Sequence, residues 1–138
     1  MADEAIIVEL LGKDNKGDPI RYTVDDTHAV PKGTLMVLTS PRTVIIHAAV
    51  DTPFVGIAAE EKVANDGLVS MSVYTNGIFR LTLKTGGNAA TIGDGVSLAS
   101  DANTVELSGT LDNETGWMVG TAMEDIAAAA IGAVRIHK

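Results

Sequence analysis

Fourteen glycines and four prolines interrupt this 138-residue chain at short intervals, and that spacing constrains the fold more than any other feature. Glycine weakens an element interior and proline removes a hydrogen-bond donor, so each interruption ends the element before it. Between them lie short runs rich in β-branched residues, which read as strands over 6–11, 20–24, 34–39, 43–48, 54–58, 68–74, 77–83, 96–99, 104–107, 117–122 and 133–137. Several alternate with period two. Phe79, Leu81 and Leu83 share one face of their run while Arg80, Thr82 and Lys84 share the other, and Val134 and Ile136 point inward from the last one.

The pattern predicts an all-β fold, a small β-barrel or β-sandwich with at most one short helix near the C-terminus. Residues 1–19 read as an N-terminal arm and polar loop, and residues 20–138 as a single β domain. No internal repeat stands out. Asn76-Gly77, between two strand runs, predicts a hairpin there. Gly86, Gly87, Gly93 and Gly95 mark tight reversals, and Ser40-Pro41-Arg42 marks a short turn. The alanine-rich stretch 122–131 reads in two ways. Thr121 and Glu124 could cap a helix that Gly132 ends, or the stretch is a small-residue loop entering the last strand. Stretch 2–11 likewise reads as an ordinary first strand or as an arm that pairs with another chain.

Ten Lys and Arg against eighteen Asp and Glu leave a net charge of −8, which disfavours nucleic acid and anionic membrane as partners. No apolar run is long enough to span a bilayer as a helix. Cysteine is absent, so disulfides and thiolate chemistry are excluded. The start, Met-Ala-Asp-Glu-Ala, lacks the positive region of a signal peptide, so synthesis in a cytoplasm is the expectation.

Groups that could carry chemistry do not assemble in the sequence. Asp14-Asn15-Lys16-Gly17-Asp18 lacks the acid spacing and closing Glu of a calcium loop and reads as a surface turn. Asp25-Asp26-Thr27-His28 reads as a solvated loop, because adjacent side chains point apart. His28, His47 and His137 have no metal-ligand spacing, and His47 sits in an apolar run as an outward or satisfied sheet residue. No Ser, Thr or Lys has a nucleophile context. Gly93-Asp94-Gly95 lacks the ending of a phosphate loop. Glu60-Glu61-Lys62 and Glu124-Asp125 read as solvated charge runs, and Trp117 as a core residue or a subunit contact. No cofactor or metal is expected.

One ordered set of segments is familiar. Thr52-Pro53-Phe54-Val55-Gly56-Ile57-Ala58, Val73-Tyr74-Thr75-Asn76-Gly77-Ile78-Phe79 and Ile92-Gly93-Asp94-Gly95-Val96-Ser97-Leu98 are followed by Gly116-Trp117-Met118-Val119-Gly120-Thr121-Ala122 and Ala133-Val134-Arg135-Ile136. In this order they resemble the capsid decoration (cement) proteins of tailed viruses and prophages, over roughly residues 30–138. The resemblance implies a non-enzymatic virion protein, often trimeric, on the outside of an icosahedral capsid. There it would bind the major capsid protein and stabilise the shell by bridging neighbouring capsomers. On that reading Ile6, Ile7, Val8 and Leu10 of the arm, with Trp117 and Met118, are the candidate capsid or subunit contacts. Two other classes compete. A glycan- or ligand-binding β-module on a virion surface would want exposed aromatics, and the chain has only Tyr22, Phe54, Tyr74, Phe79 and Trp117. A small hydrolase would need Asp25 or Asp26 with His28 brought beside His47 or His137.

Overall fold

The computed structural model describes residues 3–50, 52–108 and 118–138. Every expected strand forms: β1 (Ile6–Leu10), β2 (Ile20–Val24), β3 (Leu35–Ser40), β4 (Thr43–Ile46), β5 (Phe54–Ala58) and β6 (Ser70–Tyr74) precede β7 (Asn76–Leu83), β8 (Gly95–Leu98), β9 (Thr104–Leu107), β10 (Met118–Ala122) and β11 (Ile131–His137). A single 3-10 turn, Lys13–Asn15, is the only helical element among the described residues. Within the 122–131 stretch, residues 123–130 are a loop between β10 and β11, because Ile126 exchanges both backbone hydrogen bonds with Ala90 (2.8 and 2.9 Å) and is buried at the barrel end. A helix there would forfeit both.

The strands close into two barrels. The first runs β2-β4-β3-β5-β6, and the second runs β7-β9-β8-β10-β11. Connectivity and pairing sense are the same in both, down to the one parallel pair of each barrel: Val24 opposite Val44 in the first, Leu83 opposite Val105 in the second. Matching bonds recur at the loop ends, where Gly33 N donates to Ala58 O and Gly93 N donates to Ala122 O, both at 2.8–2.9 Å. Val55-Gly56 and Val119-Gly120 occupy the same place, and a Cβ on either glycine would collide with the carbonyl oxygen of Tyr74 or Arg135 on the next strand. The chain is therefore a structural doublet, a repeat that the sequence hides.

Asn76-Gly77 does not form the expected hairpin. Both residues lie inside β7, and the chain passes from one barrel to the other through Thr75 alone. The Asn-Gly pair answers other demands. Asn76 Nδ2 donates to Asp18 Oδ2 at 2.8 Å, and a Cβ on Gly77 would stand 2.7 Å from Glu9 O.

Eight buried residues, among them Val24, Met36, Val44, Met71 and Val73, fill the first barrel. A second cluster fills the other barrel with Phe79, Leu81, Leu83, Val96, Leu98, Val105, Val134 and Ile136, and it also contains Leu35, Val37, Phe54 and Ile57 from β3 and β5. These two strands of the first barrel are thus buried on both faces. Polar bonds fasten the same contact: Leu35 N donates to Asn103 Oδ1 at 3.0 Å, and His47 Nε2 donates to Ala99 O at 2.7 Å.

Two outcomes follow. Asn103 is fully buried in a left-handed conformation (φ 60°), so Asn103→Ala orphans the Leu35 N–H and strains the turn. It should cost roughly 1–3 kcal/mol in denaturant unfolding. Burial holds the His47 imidazole below its ordinary value of 6.5, although its bond to Ala99 opposes this. The unfolded chain takes up that proton near pH 6.5 and the folded chain only at lower pH. Stability should therefore fall as pH drops below about 6.5, and His47→Gln should flatten that part of a melting-temperature profile.

Candidate functional site

β1 lies outside both barrels and ties them together. It pairs antiparallel with β7, Ile6 opposite Arg80 and Leu10 opposite Gly77, with a bulge between Ile7 and Glu9. Its approach to the first barrel is fixed by Ala5 N donating to Gly33 O at 2.8 Å. Gly33 has φ +92°, and a Cβ there would stand 2.7 Å from Ala5 O, so only glycine admits the strand. The structure thus places stretch 2–11, where described, as a first strand on its own sheet. Leu10 is half-buried against the second core, whereas Ile6, Ile7 and Val8 are 53%, 38% and 54% exposed. Between β1 and the first barrel is a hollow of about 280 Å³ lined by Ile6, Ile7, Lys32, Gly33, Ile57 and Tyr74 among others.

The other candidates separate from β1. Met118 is half-buried on β10, beside a hollow of about 310 Å³ that it shares with Thr121, Arg135, His137 and Lys138. Trp117 lies outside the described residues. The sequence reading missed further exposed aliphatics at the loop ends: Val63, Leu68 and Val69 on the first barrel, and Ile92, Met123 and Ile131 on the second. No sequence signal separates these from core residues, since each stands in or beside an apolar run.

A third hollow, about 330 Å³, opens between β2 and β4 and is lined by Val24, Val30, Val44, Ile45 and Ile46, with Asp25 and His28 at its rim. The matching place in the second barrel is zipped further. There Lys84 N donates to Val105 O at 2.8 Å, and Lys84 Nζ stands 3.9 Å from Glu106.

The charged groups do structural work. Glu60-Glu61-Lys62 is not a solvated run, because the Lys62 side chain is only 2% exposed. Its ammonium donates to Asp26 Oδ1, Asp26 O and Val63 O at 3.0 Å and to Asp66 Oδ1 at 3.1 Å. Burial alone would lower this lysine, but the two carboxylates outweigh burial and hold it above its ordinary value. Lys62 takes the place that Ile126 fills in the second barrel. Asp66 is held below the ordinary carboxylate value first by the Leu68 N–H and then by Lys62. Asp25 is lowered by the Thr27 backbone and hydroxyl, and Asp94 by the same two groups of Thr91. These carboxylates cap turns, and their stabilisation is present above the ordinary value of 3.8 and lost as pH falls through their lowered folded values.

The titratable groups do not converge. Asp25 stands 3.7 Å from His28 in an exposed turn, Asp26 belongs to Lys62, and His47 is buried against Ala99. Among the described residues no three His, Asp or Glu side chains are grouped to hold a metal ion. The described aromatics offer no exposed stacking platform either: Phe54 and Phe79 are buried, and Tyr22 and Tyr74 are half-buried. What this surface presents is aliphatic side chains and hollows, suited to protein contact.

The phage cement protein family model matches residues 15–136, nearly the whole of both barrels. The chain belongs to the phage cement protein family. A search of curated proteins found no match. As a cement protein it is a capsid-associated, capsid-stabilising component of the virion, in a family of structural proteins. The segments containing Gly56 and Gly120, which carried the resemblance, are one motif seen twice, once in each barrel of the cement protein. β1 precedes the matched span.

The lock around Lys62 has a measurable consequence. Lys62→Met leaves two carboxylates without their cation and should lower the melting temperature by several degrees. Lys84→Met should change it little, because that pair is 3.9 Å apart and about one-third exposed on both sides.

Proposed function

We propose that this cement protein sits on the outer face of the capsid as a homotrimer, binds the major capsid protein and bridges neighbouring capsomers, after synthesis in the host cytoplasm. One observation carries the reading. Exposed aliphatic side chains stand in separate groups, on β1 and at the loop ends of both barrels, rather than in a single patch. A protein that touches several neighbours needs several such sites, and repeating them by rotation multiplies modest contacts into avidity. A threefold ring needs only heterologous contacts that close.

Ile6, Ile7 and Val8 are the proposed contacts on β1, Leu10 supports them from beneath, and Met118 with Trp117 is a further one. The net charge of −8 suits an outward face away from packaged DNA. Residues 20–138 act as one folding unit in this reading, supported by the core residues that β3 and β5 contribute to the second barrel. Binding that selects the assembled shell stabilises it by mass action.

The test is rebinding to capsids stripped of their cement protein, with light-scattering mass of the free protein. A trimer mass and saturable co-sedimentation are expected. Burying a valine or isoleucine contributes about 1.5–3 kcal/mol, so the double change Ile6→Ser and Val8→Ser should weaken capsid binding by about tenfold or more. Its melting temperature should stay close to that of the parent. Undiminished occupancy would remove β1 from the contact, and failure of the parent protein to bind would end the bridging reading.

A further inference from the structure

Two closed barrels leave few free strand edges. Each barrel strand has a partner strand on both sides, and β1 is the one strand among the described residues that is paired on a single side. Exposed edges are ordinarily guarded by lysine, proline or short length, because unpaired N–H and C=O groups invite another strand. β1 has neither lysine nor proline. It presents Ile6, Ile7 and Val8, and its guards are its five-residue length, the Glu9 charge and a bulge. Alongside it, toward the first barrel, runs the hollow of about 280 Å³ whose walls include Ile57, Gly33 and Tyr74, with Lys32 at the rim.

We infer that β1 and this hollow form a strand-addition site for an extended aliphatic segment of the capsid protein. The inference rests on the capsid-bridging reading and specifies how the contact is made. The incoming backbone pairs with the open groups of β1, which gives affinity, and its alternate side chains enter the hollow, which gives specificity. An apolar cavity of about 150 Å³ accepts a benzene-sized group, so this hollow has room for one or two branched side chains. Lys32 favours an acidic residue at the end of the segment.

A second copy of the chain fits less well. A sister β1 is already paired with β7 and would have to bring that strand and its barrel to the hollow. An unencumbered segment meets no such obstacle, and membership of the cement family supplies the capsid as its source.

Hydrogen exchange on the free protein and on particles reconstituted from stripped capsids tests the inference. Amides of residues 5–10 should exchange about tenfold or more slowly on the particle, and Ile7→Asp, which places a carboxylate at the hollow, should reduce particle occupancy by about tenfold or more. If Ile7→Asp does not fold, the exchange comparison on the parent protein decides alone. Particle binding with unchanged exchange in β1 would overturn strand addition and leave capsomer bridging standing. Absence of particle binding would overturn both. Protection of β1 in the free protein that grows with concentration would assign the edge to a sister copy and overturn the inference.

Discussion

The fold depends on two strands that are buried on both faces. β3 and β5 send Met36, Val55 and Ala58 into the first barrel, while Leu35, Val37, Phe54 and Ile57 join the core of the second. A five-stranded barrel of this length holds only a small core, and a small core alone is marginal. Sharing one wall gives the two barrels a joint interior. The polar bonds at that wall, Asn103 to Leu35 and His47 to Ala99, satisfy groups that burial would otherwise orphan. They also fix how the two halves meet, which dispersion between aliphatic side chains alone specifies poorly.

The strands were legible because alternation and turn residues are local signals. Phe79, Leu81 and Leu83 face inward as their spacing requires, and the positive-φ turns at Gly86 and Gly93 fall where expected. What sequence could not supply was partnership. Asn76-Gly77 has hairpin chemistry, yet the strands it separates belong to different barrels, and tertiary demands on Asn76 and Gly77 explain the pair. The run 122–131 has helix propensity, which lost to two backbone bonds on Ile126. Lys62 looked solvated because nothing local foretells that Asp26, thirty-six residues earlier, stands beside it. At the candidate site, Ile6, Ile7 and Val8 could be singled out because a polar loop isolates them. The loop-end aliphatics could not, since an exposed valine and a buried one have the same letter.

The structural doublet is hidden in the sequence for a related reason. Equivalent positions keep geometry rather than identity. Lys62 stands where Ile126 does, so a caged ammonium and a greasy plug close the same barrel end. The lower edge of β7 is covered by β1, whereas on β2 the Arg42 guanidinium bonds the Arg21 carbonyl at 2.9 Å. Identity persists where the backbone demands it: Gly56 and Gly120 match because no side chain fits beneath the crossing carbonyl, and the bonds from Gly33 to Ala58 and from Gly93 to Ala122 join the same residue types. The barrel-end plug and the edge protection are each met twice by different chemistry.

That divergence bears on what a cement protein must do. A protein that binds a shell by surface fit needs rigidity more than reactive groups, and two closed barrels sharing a wall leave one strand edge open among the described residues. On the proposed reading, adhesion comes from side chains at the loop ends and from β1, the one edge strand among the described residues. The first barrel keeps a gap between β2 and β4 that the second zips with Lys84, so the halves cannot make identical contacts even though their frames match. A shell built of quasi-equivalent subunits presents neighbours that are similar but not identical. On the proposed bridging reading, a doublet whose halves share a frame and differ in surface would meet two such neighbours through different contacts.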